Sequence, residues 1–250
     1  MRKLETAVVP DPKAEETLPS PVSVRDKVRR MSPELRRKIL LERATVFFAD
    51  HGMSAPTRAL ADACGVAQRL LYRYFPSKAA LLEEIYEHAI LAPFKAVWLI
   101  RLADREQDIE TRIRAFYTDY YQTVLSRQWI RLFLYGGLDG GSMAPAYIDG
   151  IIKQFLEVLV REAADARKVE LPRSVSLLHE IGWVLHGAVS HLAIRQHIYG
   201  VSQTVPLGDI MAVQVAAFLD GLPAAAAVTR AQEALMDRKI PLTVKSSVAD

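Results

Sequence analysis

Gly65 separates two segments, each too short to stand alone as a helix: Thr57–Cys64 before it and Ala67–Tyr74 after it. Isolated helices shorter than about a dozen residues are marginal in water, so such a pair forms only by packing on something else. Glycine between them supplies the positive φ of a sharp turn. Ala61 is small enough for two helices to cross closely, and Val66 and Leu71 are placed to bury against a third helix. That third helix is written just upstream. Ser32-Pro33-Glu34 offers a capping hydroxyl, a proline for the first helical position and an acid for the positive end of the helix dipole. Leu35, Ile39, Leu40, Ala44, Phe47 and Phe48 then recur at helical spacing, and Gly52 supplies the stop, predicting a helix over about 33–51. Thr57 is expected to cap the second helix. Phe75-Pro76-Ser77 ends the third, and Ser77 caps a fourth that runs from Lys78 to about Ile90, where Pro93 bends or divides it.

The remainder reads as helices throughout. One stripe comprises Ile109, Ile113, Phe116, Tyr120 and Val124. A short apolar helix over Trp129–Tyr135 is expected to close at Gly136-Gly137. A second stripe runs from Ile148 to Ala163, and a third from Leu177 to Leu192 in a long helix ending near Gly200. A last helix, marked by Ile210, Val213, Ala217 and Phe218, is expected to end at Gly221-Leu222-Pro223, with one more short helix around 229–238. No run alternates with period two convincingly enough for a sheet. The predicted fold is all-α: a flexible basic arm (1–31), a three-helix helix-turn-helix domain (32–78), a larger helical domain (79–222) and a tail (223–250).

Charge singles out the first third. Residues 25–78 hold twelve Lys and Arg against five Asp and Glu, a net of +7, which leaves −4 for the rest of a chain whose formal charge is +3. A basic module on a mildly acidic body points to a polyanion as partner; a solvated basic face is the alternative. The third helix carries Gln68, Arg69, Arg73 and Tyr74, long enough to reach base edges and phosphates from a helix lying in a major groove about 12 Å wide.

The run from Thr57 to Leu82 resembles the N-terminal signature of TetR/AcrR-family regulators. It combines the Gly65-Val66 turn, Leu71-Tyr72, Tyr74-Phe75-Pro76-Ser77-Lys78 and Leu81-Leu82, and the Phe47-Phe48…His51-Gly52 end of the first helix agrees with it. The likeness spans about residues 33–85. It implies a DNA-binding transcriptional regulator that works as a homodimer on a double-stranded operator, usually as a repressor. Thr57 and Arg58 would then contact the DNA backbone, and Gln68, Arg69 and Arg73 would face the groove. Tyr72 matches the family tyrosine that bonds a phosphate, Tyr74 stands where histidine is frequent, and Lys78 would neutralise a phosphate at a helix N-terminus. Tyr72 and Tyr74 would otherwise serve as core aromatics. Three positions depart from the pattern. Ala67 replaces the usual Ser or Thr cap, Arg69 replaces a common glycine, and Leu70 replaces a frequent DNA-contacting Thr or Ser; it either touches a thymine methyl or packs inward. The arm residues Arg25, Lys27, Arg29 and Arg30 fit phosphate or minor-groove contacts and equally a spacer.

The resemblance also implies that the helical domain over residues 79–222 is a ligand-binding and dimerisation domain, which binds an effector and pairs through its last two long helices. Leu178, Ile181, Leu185, Ala188, Val189 and Leu192, beside Val213, Ala217 and Phe218, are candidates for that interface or for the chain's own core. Aromatic residues crowd the middle helices, and a ring-lined pocket with few polar groups suits an apolar or aromatic ligand; Phe116, Tyr120, Phe133, Trp183 and His186 are its candidate lining. The fourth helix would couple the two halves. Catalysis is not expected. Gly136-Gly137 and Gly140-Gly141 lack the Lys-Ser/Thr of a phosphate loop, and no His-Glu-x-x-His, paired-cysteine or Gly-x-Ser-x-Gly signature is present. His179, His186, His191 and His197 are not spaced as an i,i+4 ligand pair, so neither metal nor cofactor is expected. The other class of function left open is a dimeric protein-interaction module without operator binding. No apolar run reaches the roughly 18 residues of a membrane span, and no signal peptide is read in residues 1–24. The single cysteine, Cys64, fits a reducing cytoplasm.

Overall fold

The computed structural model describes residues 32–239, and every regular element among them is helical. The predicted basic arm lies outside the described residues. α1 (Pro33–His51) starts and stops as its sequence dictates: the Ser32 hydroxyl accepts from the Leu35 N–H at 3.2 Å, and Gly52 follows at φ +86°. α2 (Thr57–Ala63) and α3 (Gln68–Tyr74) flank Gly65, whose φ of +67° is the left-handed conformation the turn requires. Phe48, Leu60, Leu71 and Phe75 bury fully between these helices and α4 (Lys78–Ile85). Ser77 caps α4 through the Ala80 N–H at 3.0 Å. α4 continues as a π-helical turn over Tyr86–Leu91 and ends just before Pro93.

The body comprises α5 (Val97–Ala103), α6 (Ile109–Thr123), α7 (Arg127–Leu138) and α8 (Met143–Tyr147). A π-helical turn over Ile148–Ile152 leads into α9 (Lys153–Arg167), followed by α10 (Val175–His197) and α11 (Leu207–Lys239). α10 packs between α9 and α11, and α11 also lies along α6. The α9–α10 crossing is close because residue 182 is glycine: a Cβ there would sit 3.0 Å from the Leu156 Cβ.

Three helix expectations are corrected. Thr57 does not cap α2. Pro56 takes the capping position without a side-chain bond, and the Thr57 hydroxyl is drawn across to α3. Gly136-Gly137 does not stop α7, which runs to Leu138; Gly136 is buried where Met143 packs over it, and the left-handed residue is Gly140 at φ +69°. Pro223 does not end α11. A proline inside a helix costs about 3 kcal/mol or more, yet Phe218, Leu219, Leu222, Ala226 and Thr229 continue one buried stripe across it. Beyond it, the Glu233 carboxylate accepts the backbone N–H groups of Arg173 (3.1 Å) and Ser174 (2.6 Å), fastening the far end of α11 to the start of α10.

The expected interface residues divide in the same way. Leu178, Ile181, Leu185, Val189, Leu192 and Phe218 are buried in the chain's own core, because α9 and α6 cover that side of the α10–α11 pair. The opposite side exposes Val184 (62%), Gly187 and Ala188 on α10. On α11 it exposes Val213 (70%), Ala217, Gly221, Ala224 and Val228. By length and composition α11 is apolar enough to cross a membrane; in this fold one side of it packs on α6 and α10 and the other forms this exposed stripe of small residues.

Candidate functional site

Seven residues of α3 make a rod about 10 Å long at 1.5 Å per residue. Leu71 anchors it in the three-helix core, while Gln68, Arg69, Tyr72 and Arg73 are exposed. Ala67 precedes α3 without a side-chain capping bond, as its methyl dictates. The rod is fixed to α2 by a polar clasp. The Thr57 hydroxyl lies 2.8 Å from the Tyr72 hydroxyl and accepts from Gln68 Nε2 at 3.0 Å. Thr57 is therefore buried and holds the helices in register, while Tyr72 stays 39% exposed with its hydroxyl oriented. Leu70 is half-buried. Tyr74 is half-buried too, packing one side against the core, with the Arg73 guanidinium 5.5 Å from its ring centre.

The basic residues of this domain have two kinds of work. Arg43 Nη1 donates to the Cys64 carbonyl at 2.8 Å and caps the end of α2. Arg37 pairs with Glu84 on α4 and stacks over Phe75, and the Lys78 ammonium lies 5.7 Å over the Phe48 ring. These groups join helices. Arg58, Arg69 and Arg73 are exposed instead, and among the described residues no carboxylate pairs with them. Together with Tyr72 they form a positive face around α3.

The body holds the second candidate site. Phe116, Tyr120 and His186 are buried in one aromatic cluster with Trp98, Tyr117 and Phe155; Phe155 lies 5.2 Å from Phe116 and 5.1 Å from His186, centre to centre. Trp183, half-buried, contacts the His186 ring at 5.3 Å. Phe133 is the outlier of the expected set. It stacks on Trp129 at 4.7 Å and reaches the cluster only by way of Tyr147. Sequence reasoning counted Tyr117, Tyr147 and Phe155 among the aromatic residues of the middle helices but not in the candidate lining, since their places depend on how α6, α8 and α9 cross. The Tyr117 hydroxyl and the Nδ1 of His186 are buried with no hydrogen-bond partner, and the buried Tyr120 and Tyr147 hydroxyls have only each other within reach, while His186 Nε2 meets the Ser190 hydroxyl at 3.2 Å. Burial fixes their charge state. It holds the Tyr117 and Tyr120 hydroxyls well above the usual phenol range, raises Tyr147 to about 12 and pushes His186 down to about 3, so all four stay neutral.

α7 joins the two regions. Its Trp129 and Phe133 enter the aromatic interior, and Trp129 Nε1 donates to the Ile90 carbonyl at 3.2 Å. Its other face grips α1 through Arg131, and Arg127 pairs with Asp50 at 3.0 Å. α1 packs more extensively on α7 than on α4, so the link between the halves runs through α7 as well as through the fourth helix named from sequence.

Comparison with known proteins agrees with this geometry. Residues 40–85 match the model of the bacterial regulatory proteins of the tetR family. Over 54 residues, 21% of the chain, it is 43% identical to the HTH-type transcriptional repressor KstR2 of Mycolicibacterium smegmatis. That match spans 26% of the relative's length. The fold resembles a TetR-like transcriptional regulator from Rhodococcus sp. RHA1, with a TM-score of 0.59 and 17% identity over 78% of this chain and 99% of the other. It also resembles a tetR-family transcriptional regulator from Streptomyces coelicolor, with a TM-score of 0.51 and 18% identity over 83% and 97%. At these identities the structural likeness speaks for the fold, and the N-terminal match speaks for the module. With its helix-turn-helix built around Gly65, the chain carries over residues 40–85 the module of the tetR family of bacterial regulatory proteins, joined to a helical body with the fold of TetR-like regulators.

Proposed function

We propose that this protein is a cytoplasmic, non-catalytic transcriptional repressor that binds an operator as a homodimer and is released by a small, largely apolar effector. The observation that carries the reading is the face of α3: Arg69, Tyr72 and Arg73 stand exposed on a helix whose register is fixed by the Thr57–Tyr72 clasp. Arg69 and Arg73 suit base edges or phosphates, and Arg58 at the start of α2 suits the backbone. When Thr57 accepts from Gln68 and donates to Tyr72, the Tyr72 O–H is left to donate to a phosphate oxygen. Repression is supported by the repressor relative, whose match covers this same module.

The exposed stripe of Val184, Ala188, Val213, Ala217 and Val228 fits pairing with a second copy of this chain, because small residues let helices approach closely and apolar ones gain from leaving water. The pair would present two α3 rods to successive major grooves. An effector among the rings of the body would displace α7 and, through it, α1, favouring a spacing of the rods that the duplex does not match. Selection of bound sequences from random duplex DNA tests the reading. A two-fold symmetric site is expected, and a pool that stays random would refute it.

A further inference from the structure

Resting on the reading that the body senses a small molecule, we propose that the ligand is uncharged and largely apolar and carries one hydroxyl or carbonyl oxygen, received by Tyr117, Tyr120, Tyr147 and His186. Buried polar atoms are nearly always paired, and leaving one without a partner is costly. Here four buried polar atoms that no other group of the protein satisfies lie in one cluster: the rings of Tyr117, Tyr120 and His186 are 5.8 to 6.4 Å apart, and the Tyr120 and Tyr147 hydroxyls have only each other within reach. Apolar rings and a good interior would be served as well by phenylalanine, so the hydroxyls have no packing role of their own.

The chemistry of the set narrows the ligand. A phenol donates and accepts, and an imidazole nitrogen does either according to tautomer, so the group matches an O–H or a C=O. A carboxylate or phosphate would lose its hydration without gaining a counter-charge. The rings around the four atoms, Phe116, Phe155 and Trp98 among them, carry no charge. Arg112, the buried cation of the body, is committed to Glu162 at 3.0 Å and to the Leu102 carbonyl. Trp183 and Phe133 are half-buried at opposite ends of the cluster and give a ligand two rings to displace on entry.

The test uses the full chain and three probes of one shape: propylbenzene, 4-propylphenol and 4-propylbenzoate at neutral pH. Trp98, Trp129 and Trp183, the three tryptophans of the chain, all border the cluster, so their emission reports binding. The expected result is that 4-propylphenol binds at least about tenfold tighter than either of the others, in line with what a paired hydroxyl contributes in a buried site. Tyr120→Phe and Tyr147→Phe should each bring the phenol to within about twofold of propylbenzene, and Tyr117→Phe should weaken the phenol while raising the thermal midpoint, because it removes an unpaired buried hydroxyl. Equal or tighter binding of the benzoate overturns the proposal. So does a phenol no better than propylbenzene, which means that water alone serves the hydroxyls, and so does the absence of saturable binding by all three. Duplex binding by the same preparation is measured separately, so a failed ligand proposal and a failed operator reading give different results.

Discussion

Arg131 of α7 donates from Nε to the carbonyl of Ala49 at 2.5 Å, closing the last turn of α1. Its Nη2 reaches the Asp50 carbonyl and the Tyr135 hydroxyl, each at 3.0 Å. The last carbonyls of a helix have no partner within the helix, so an arginine of the body completes a helix of the N-terminal three-helix domain. Arg131→Met keeps much of the stem and removes the donors. It should cost about 1–3 kcal/mol in urea unfolding, with faster amide exchange in the final turn of α1. Unchanged exchange there would show that the cap holds nothing.

The clasp separates folding from recognition. Tyr72→Phe removes one hydroxyl from a partly exposed site and should change stability by less than about 1 kcal/mol, yet lower duplex affinity about five- to tenfold through the lost phosphate bond. Thr57→Val should do both, because the Gln68 and Tyr72 groups lose their common partner. Gel-shift titration beside thermal melts checks the pair.

His186 makes stability depend on pH. Its imidazole titrates near 3 in the fold, against about 6.5 in an unfolded chain. Below about 6.5 the unfolded chain takes up a proton that the fold refuses, so this contribution is complete above that pH and declines as pH falls toward 3. By pH 5 the loss from this one group is about 2 kcal/mol. His197, also lowered mainly by burial, acts in the same direction. Urea unfolding at pH 7 and pH 5 should show the decline, and His186→Leu should flatten most of it.

Two backbone positions should respond with opposite signs. Gly182→Ala forces a methyl against Leu156 at the α9–α10 crossing and should destabilise by about 1–3 kcal/mol. Lys168 ends α9 in the left-handed region at φ +55°. Lys168→Gly relieves that strain and should stabilise by up to about 1 kcal/mol. Thermal unfolding of both variants decides.

Local chemistry made the head legible. Ser32-Pro33-Glu34, Gly52, Gly65 and Ser77 act within a few residues, and each performs the expected backbone task. The body was legible as helices but not in its joints. Pro223 and Gly136 signal breaks locally, yet burial on neighbouring helices carries both helices through. Periodicity marked α10 and α11 as apolar without telling which side faces the chain's own core, since α11 is apolar almost all round. The same limit kept Tyr117 and Tyr147 out of the candidate lining, because their neighbours come from distant helices. Arg43 and Arg37 read as part of a basic footprint, and only the fold assigns them to joining helices.

The central claim is that the α3 face neutralises duplex phosphates, and the salt dependence of duplex affinity tests it most directly. Between about 50 and 200 mM salt, log affinity should fall linearly with log salt, with a slope of about −4 or steeper for a dimer. Arg58→Ala, Arg69→Ala and Arg73→Ala combined should make the slope shallower while leaving the thermal midpoint nearly unchanged. A flat response, or a slope the three substitutions do not alter, would contradict it.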